Sequence, residues 1–247
     1  MKTLRCCMVL GLLLFVPKLA LAVPCSTGTL SGIVGTTCEI GDKAFTFSSF
    51  LGRGILDSAI QFTPSSSDPL APGFTLAGVN GPITFSAPNT QLLAQVNFTV
   101  STVSGNPTLI GNTVTLNNPS ATGSDSNIVD AFAFLANGAN SSLTSGGAFP
   151  EVCVDTAPTG GSACVGLPFP TTLSATGNFS SPVSTTNFGQ AGFALFTTST
   201  GTATFTSADY RFNQAVVPEP GTIVLLGIGL LAISGRRALQ ACRSRVN

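Results

Sequence analysis

The feature that most constrains the fold is the regular alternation of phenylalanine and other apolar residues with serine, threonine and asparagine. In the run AFTFSSF, Phe45 and Phe47 share one parity, and AQVNFTVSTV alternates apolar and polar residues from Ala94 to Val100. Successive side chains of a strand point to opposite faces of the sheet. A period of two therefore predicts short strands with one buried face.

The same alternation recurs along the chain and predicts which side chains point inward. The expected inward residues are Ile60, Phe62, Ile83, Phe85, Phe132, Phe134, Phe193, Leu195, Ala203 and Phe205. The run GFALFTTSTGTATFTSADYRF reads as two strands joined through Ser199, Thr200 and Gly201.

Breakers rich in Gly and Pro, such as TPSSSDPLAPG and APTGGS, separate these runs. Many short strands with such turns predict an all-β fold, a single β-sandwich with a jelly-roll arrangement as one option. A disordered Ser/Thr-rich stalk is the alternative, but disordered chains are poor in aromatic residues.

The N-terminus has the three parts of a secretory signal peptide. Lys2 and Arg5 precede an apolar run over 6–16, and Ala20-Leu21-Ala22 follows. This order predicts a signal peptide over 1–22, cleaved after Ala22, with Ala20 and Ala22 as the small residues of the site. The alternative is an anchor helix, but eleven apolar residues are too few to span a bilayer comfortably.

The charge of the region between the two ends is acidic, although the whole chain is neutral. From 23 to 217 there are nine Asp and Glu residues against Lys43, Arg53 and Arg211, a net charge of −6. Such a domain has no basic footprint for nucleic acid, so that class of partner is not expected.

The cysteines fit an oxidising compartment. Of the seven, Cys6 and Cys7 lie in the leader and Cys242 lies beyond the C-terminal apolar run. The other four allow three pairings, and the two local ones are favoured because their members are close in sequence: Cys25 with Cys38, and Cys153 with Cys164. A metal site is the alternative, but the spacings match no zinc pattern and the chain has no histidine. No cofactor is predicted.

The C-terminal stretch VPEPGTIVLLGIGLLAISGRR places two prolines before an apolar run and two arginines after it. The fifteen uncharged residues over 221–235 would span about 22 Å as a helix, against roughly 30 Å of hydrocarbon core. The run can therefore be read as a buried core helix, a plain anchor or part of a sorting signal. The prolines prevent helical extension upstream and keep Glu219 extended, and the basic flank orients the domain outward.

This tail closely resembles the PEP-CTERM sorting signal of Gram-negative bacteria. The matching residues are Val217, Pro218, Glu219 and Pro220 within the motif at 217–222, a transmembrane run over 222–235, and the basic stop Arg236 and Arg237. The signal as a whole is placed at 215–239, after an ectodomain over 23–214 and before a basic tail over 238–247.

The resemblance implies a partner and a location. Exosortase, a membrane enzyme with a catalytic cysteine, is implied to recognise Pro-Glu-Pro and to remove the hydrophobic tail. The protein is implied to be exported, transiently inserted in the membrane, and then placed at the cell surface or in the extracellular matrix. Proteins with this signal are associated with exopolysaccharide and biofilm matrix.

Catalytic and metal-binding candidates are few. Without histidine, Ser-His-Asp and Cys-His catalysis are excluded. A glycoside hydrolase needs two carboxylates, for which Asp42 with Asp57, or Glu151 with Asp155, are candidates. Scattered acids on a secreted domain are usually solvated, so we expect no enzyme.

A weak calcium candidate lies in the run GSDSNIVDAF, where Asp125, Asn127 and Asp130 supply oxygen ligands. This spacing matches no EF-hand, and Asx-turn chemistry explains Asp125 and Asn127 equally well.

The sequence therefore predicts a non-enzymatic structural component of the exopolysaccharide or biofilm matrix. The alternative is a carbohydrate-binding module that docks on exopolysaccharide, and a glycoside hydrolase is a remote third. Sugar-binding sites commonly use exposed aromatic rings. The chain has no Trp and a single Tyr, at Tyr210, which favours the structural role modestly.

Overall fold

The computed structural model describes residues 23–103, 108–123, 125–136, 147–157, 164–198 and 201–215. The predicted signal peptide and everything from residue 216 onward, including the predicted membrane segment and Cys242, lie outside the described residues. Within the described ranges, no helix combines the length and the hydrophobicity that a membrane crossing requires.

The described residues form fifteen β-strands and two short 3-10 helices, at Leu30–Gly32 and Asp57–Ala59. In chain order the strands are β1 Gly28–Thr29, β2 Thr37–Ile40, β3 Lys43–Arg53, β4 Ile60–Ser65, β5 Gly73–Gly78, β6 Ile83–Phe85, β7 Thr90–Thr102, β8 Leu109–Asn117, β9 Ser120–Thr122, β10 Asn127–Ala136, β11 Glu151–Asp155, β12 Thr172–Val183, β13 Phe188–Thr197, β14 Thr202–Phe205 and β15 Ser207–Gln214.

These strands form two six-stranded sheets and one small sheet, with antiparallel pairing throughout. Sheet A has the order β11-β10-β13-β7-β3-β2, and sheet B has the order β1-β4-β5-β15-β8-β12. The small sheet has the order β6-β14-β9. Sheets A and B pack face to face, which confirms the predicted all-β sandwich.

Aromatic rings from both sheets fill the space between them. Phe45 of sheet A meets Phe212 of sheet B with ring centroids 4.9 Å apart, and Phe47 meets Phe62 at 5.3 Å. The hydroxyl of the buried Tyr210 donates a hydrogen bond to the carbonyl of Gly192, 2.7 Å away in the opposite sheet. Most of the residues that the alternation predicts to point inward are buried in this core.

Strand β10 departs from that prediction. Its core residues are Val129, Ala131, Ala133 and Leu135, so Phe132 and Phe134, two positions of the opposite parity, lie on the outer face of sheet A. Both parities of this strand are apolar, and the alternation alone therefore cannot choose between the faces. Phe134 is nevertheless buried, because Phe149 and Phe188 cover it at centroid distances of 5.9 and 6.0 Å.

The region after residue 188 also differs from the prediction, since it contains three strands rather than two. Strand β13 belongs to sheet A, β14 to the small sheet and β15 to sheet B. The chain thus passes from one large sheet to the other through the small one. Ser199 and Thr200, which were expected to join the first two strands, lie outside the described residues.

The two local disulfides are present, which confirms the favoured pairing. Cys25 is bonded to Cys38, where the start of the described chain meets β2, and Cys153 of β11 is bonded to Cys164. Each bridge closes a short loop and removes about 3 kcal/mol of chain entropy from the unfolded state in the loop-closure account.

A buried ion pair joins the start of sheet A to the end of β15. Lys43 is fully buried, and its ammonium group lies 2.8 Å from Asp42 Oδ2. The same group donates to Gln214 Oε1 at 2.5 Å, while Gln214 Nε2 donates to Asp42 Oδ1 and to the carbonyl of Pro69. Burial lowers the pKa of Lys43, and the hydrogen bond and charge of Asp42 oppose that shift. We call Lys43, Asp42 and Gln214 together the Lys43 clamp.

Candidate functional site

A cavity of about 570 Å³ opens at one end of the outer face of sheet A, where β3 ends, β7 begins and β13 ends. Its lining combines two aromatic rings, one guanidinium group, one hydroxyl and two amides: Arg53, Gly54, Phe85, Asn89, Thr90, Gln91 and Phe196. We call this cavity the Arg53 pocket.

Strand register explains how residues so far apart in sequence meet there. Phe196 of β13 lies directly opposite Gln91 of β7, and Arg53 of β3 lies opposite Leu93. Gln91 and Leu93 are two residues apart on one strand, so all four side chains share the outer face. Phe85 reaches the cavity from β6 of the small sheet, and the pocket is therefore built from four strands.

The turn between β6 and β7 is held in place by hydroxyl groups. Thr90 Oγ1 donates to the carbonyl of Ala87 at 2.7 Å, and Thr197 Oγ1 of β13 donates to the same carbonyl. Asn89 occupies the left-handed region with φ of 53°, which asparagine tolerates better than most residues. These contacts fix the turn that brings Asn89 to the rim of the pocket.

Electrostatically, the pocket is an isolated positive site on an acidic domain. Arg53 is exposed, and among the described residues no carboxylate lies within ion-pair distance of its guanidinium group. None of the lining residues is acidic. The pocket can thus offer a planar fork of hydrogen-bond donors, neutral donors and acceptors, and two aromatic walls to a small polar ligand.

A pair of acids lies elsewhere on the outer face of sheet A. Asp130 of β10 is opposite Cys153 of β11, so Glu151, two residues from Cys153, is its diagonal neighbour on the same face. Asp130 Oδ1 is buried and accepts no hydrogen bond from the described residues. Burial first, and the negative charge of Glu151 second, raise the pKa of Asp130 to about 7.

The raised pKa of Asp130 predicts that stability falls as the pH rises. The folded protein keeps the Asp130 proton up to about pH 7, whereas the unfolded chain loses it near pH 3.8. The contribution of Asp130 to stability is therefore fully present below pH 3.8 and is lost as the pH rises through 7. We expect Asp130→Asn to remove this dependence and to raise the free energy of unfolding at pH 7.5, relative to pH 4.5, by on the order of 2 kcal/mol. Urea denaturation at the two pH values measures it.

The matched control is Asp125→Asn, which neutralises an exposed carboxylate next to the same strand. It should leave the pH dependence of the wild type unchanged. If the stability of the Asp130→Asn variant and that of the wild type depended on pH in the same way, the raised pKa of Asp130 would be contradicted.

The carboxylate pairs considered for a glycoside hydrolase are not brought together. Asp42 precedes the eleven-residue β3 and is paired with Lys43, whereas Asp57 begins the 3-10 helix that follows the other end of this strand. Glu151 and Asp155 lie on one face of β11 but about 13 Å apart, beyond the roughly 5 to 9.5 Å that such enzymes use. The carboxylate of Asp155 also accepts hydrogen bonds from Ser126 Oγ and the amide of Ala157.

The weak calcium candidate is not assembled either. Asn127 and Asp130 have opposite parity on β10 and point to opposite faces of sheet A. The amide of Asn127 is engaged with the carbonyl of Thr122 and the backbone N–H of Thr198. In the part of the chain that the structure describes, no group of three or more His, Cys, Asp or Glu residues could hold a metal ion.

The sequence did not single out the Arg53 pocket. In the sequence, Arg53 is one of three dispersed cations between 23 and 217. Phe196 lies on the half-buried face of β13, and the alternation predicted only the residues of the opposite, core face of that strand. The only signal in the sequence was weak, namely that Arg53 is followed by a glycine. In the structure this glycine, Gly54, follows the end of the long strand β3 and has a φ of +73°.

Comparison with known families identifies the C-terminal tail. Residues 216–238 match the PEP-CTERM protein-sorting motif. The chain therefore carries a PEP-CTERM sorting signal, as its sequence indicated, and is an exported protein sorted to the cell surface or extracellular space. The motif implies processing by exosortase. The individual positions assigned within the signal, and Ala20 and Ala22 of the leader, stay predictions.

No curated protein matches the chain in sequence. Among solved structures, TmCBM61 in complex with beta-1,4-galactotriose is 8% identical with a TM-score of 0.31, over 75% of this chain and 94% of that one. A thermostable Cel12A cellulase of Rhodothermus marinus is 13% identical with a TM-score of 0.27, over 68% and 99% of the two chains. Tailspike protein 4 of bacteriophage CBA120 is 15% identical with a TM-score of 0.18, over 70% of this chain and 19% of that one. At these scores the likenesses carry no argument about function.

Proposed function

We propose that the exported domain is a non-enzymatic component of the extracellular polysaccharide matrix and that it attaches to the polysaccharide through the Arg53 pocket. The observation that carries this proposal is the composition of the pocket, with aromatic walls at Phe85 and Phe196 beside Arg53, Asn89 and Gln91. Sugars present apolar C–H faces and many hydroxyl groups, which these two kinds of side chain complement.

The size and openness of the site fit a saccharide. A cavity of about 570 Å³ lies within the roughly 300 to 1,000 Å³ that small-molecule sites occupy. It opens at the end of a sheet face, and Arg53, Asn89 and Thr90 of its lining are exposed. Phenylalanine supplies the apolar contact here, although the chain has no tryptophan.

The non-enzymatic part of the proposal is supported by the arrangement of the acids. The chain has no histidine, and Glu151 and Asp155, four residues apart on β11, are about 13 Å apart, too far for glycoside hydrolysis. Other carboxylates serve the fold: Asp42 belongs to the Lys43 clamp, and Asp209 accepts hydrogen bonds from Thr75 and Asn117.

A glycan array probed with the full chain in mild detergent tests the proposal. We expect micromolar binding to a polysaccharide fragment, and Phe196→Ala should weaken it about tenfold because one aromatic wall is lost. Phe149→Ala is the matched control, since Phe149 is an exposed ring outside the pocket. An array that stays blank, with the wild-type protein shown to be folded, would reject attachment through this pocket and leave a matrix role without a saccharide site.

A further inference from the structure

We propose that the Arg53 pocket selects a carboxylated sugar, such as a uronic acid unit of an acidic polysaccharide, and that Arg53 holds its carboxylate. This inference rests on the proposed function and adds to it the chemical class of the ligand. The juxtaposition that carries it is an exposed guanidinium group, without an acidic partner, between aromatic and amide side chains.

The charges of the described domain make this position of Arg53 informative. Of the three cations between 23 and 217, Lys43 is buried in its ion pair with Asp42, and Arg211 lies on β15 of the other sheet. Arg53 is thus the cation at the cavity, and no acid among the lining residues competes for it. Planar guanidinium and planar carboxylate pair through two parallel N–H···O bonds, which gives orientation as well as attraction.

The neighbours of Arg53 match the rest of such a sugar. Phe196 and Gln91 are opposite each other on β13 and β7, so the aromatic wall and an amide stand side by side next to the guanidinium group. With the carboxylate on Arg53, the ring of the sugar can pack on Phe196 or Phe85 while Gln91, Thr90 and Asn89 meet its hydroxyl groups.

The negative charge of the rest of the domain opposes the binding of acidic polysaccharides. With a net charge of −6 between 23 and 217, the domain as a whole repels polyanions. Binding of an acidic saccharide must therefore come from this local site and not from general attraction. We expect affinity to decrease modestly with salt, as for one exposed ion pair, rather than with the steep dependence of a polybasic surface.

The test uses the full chain in mild detergent and calorimetric titration with oligosaccharides of galacturonate, glucuronate and mannuronate. Each oligosaccharide is paired with its carboxyl-reduced form, in which the carboxylate has become a primary alcohol. We expect at least one acidic oligosaccharide to bind and its reduced form to bind at least tenfold more weakly, because hydrogen bonds to a charged group are lost.

Three variants separate charge from geometry. Arg53→Gln should weaken binding of the acidic oligosaccharide at least tenfold, whereas Arg53→Lys should retain part of the affinity because it keeps the charge and loses the fork. Arg211→Gln makes the same change of charge on sheet B and should bind like the wild type. Thermal unfolding of each variant checks that the fold is retained.

The outcomes distinguish this inference from the proposed function. If an oligosaccharide and its carboxyl-reduced form bind equally well, the pocket recognises neutral sugar, so selection of a carboxylate is rejected and polysaccharide attachment stands. If Arg53→Gln and Arg211→Gln weaken binding equally, the attraction is general and the assignment to Arg53 is rejected. If no acidic or reduced oligosaccharide binds, both the inference and attachment through the pocket are rejected.

Discussion

Replacement of Pro218 and Glu219 by alanine is expected to leave the chain longer and retained in the membrane fraction. The wild-type protein, in contrast, should be released without the residues beyond about Glu219. The physical reason is the order of parts in the tail. Two prolines keep an acidic residue extended and open to a processing enzyme, ahead of an apolar run too short for a comfortable permanent anchor.

Intact mass spectrometry of the secreted and membrane fractions decides between three interpretations of this tail. As a sorting signal, the tail is absent from the secreted wild-type protein and present in the double variant. As a plain anchor, it stays in the membrane in both proteins. As a core helix, it stays in the soluble protein, and its deletion would unfold the domain.

A control variant tests whether any change in the tail blocks processing. Arg243→Ala with Arg245→Ala alters charges beyond the stop at Arg236 and Arg237, and processing should be as complete as in the wild type. The motif match begins at residue 216, after β15 has ended at Gln214, so neither double variant should alter thermal unfolding of the domain. Secreted wild-type protein that still contains Arg236 and Arg237 would reject the sorting interpretation.

Breaking the Lys43 clamp should cause the largest loss of stability of any single substitution considered. We expect Lys43→Met to lower the free energy of unfolding by about 3 kcal/mol, because it leaves the Asp42 carboxylate and the Gln214 amide oxygen without their shared donor. The estimate lies at the low end of the range for buried pairs because Asp42 retains some contact with solvent. Urea denaturation of the exported protein measures the change.

A double-mutant cycle separates the ion pair from the loss of packing. Asp42→Asn alone should also destabilise the protein, and the combined variant should lose less than the sum of the two single changes, since no charge is left without a partner. Arg211→Met, which removes a cation from the half-exposed β15 position, should cost less than about 1 kcal/mol. If the losses of unfolding free energy from Lys43→Met and Asp42→Asn simply added in the combined variant, the ion pair between the two residues would contribute nothing to stability.

The local features of this protein could be predicted from its sequence. The parity of Phe45, Phe47 and the 94–100 run predicted strands with one buried face, because successive side chains of a strand point to opposite faces of the sheet and only one parity is apolar. The pairings Cys25–Cys38 and Cys153–Cys164 were favoured because the members of each pair are close in sequence, and the structure contains both disulfides. The PEP-CTERM tail was recognisable for a similar reason, since its parts are contiguous in the chain.

Features that depend on which strands become neighbours could not be predicted from the sequence. Phe132 and Phe134 point outward, although Phe45 and Phe47 of the same type point inward, because β10 is apolar at both parities and only docking of the sheets selects a face. The buried ammonium group of Lys43 has a hydrogen-bond acceptor in Gln214, 171 residues away in the chain, besides the adjacent Asp42. Arg53, Phe85, Gln91 and Phe196 form one pocket only through strand registers that no local pattern encodes. The physical reason is that periodicity reports the environment of a single strand, whereas a site on a sandwich is formed by the long-range pairing of several.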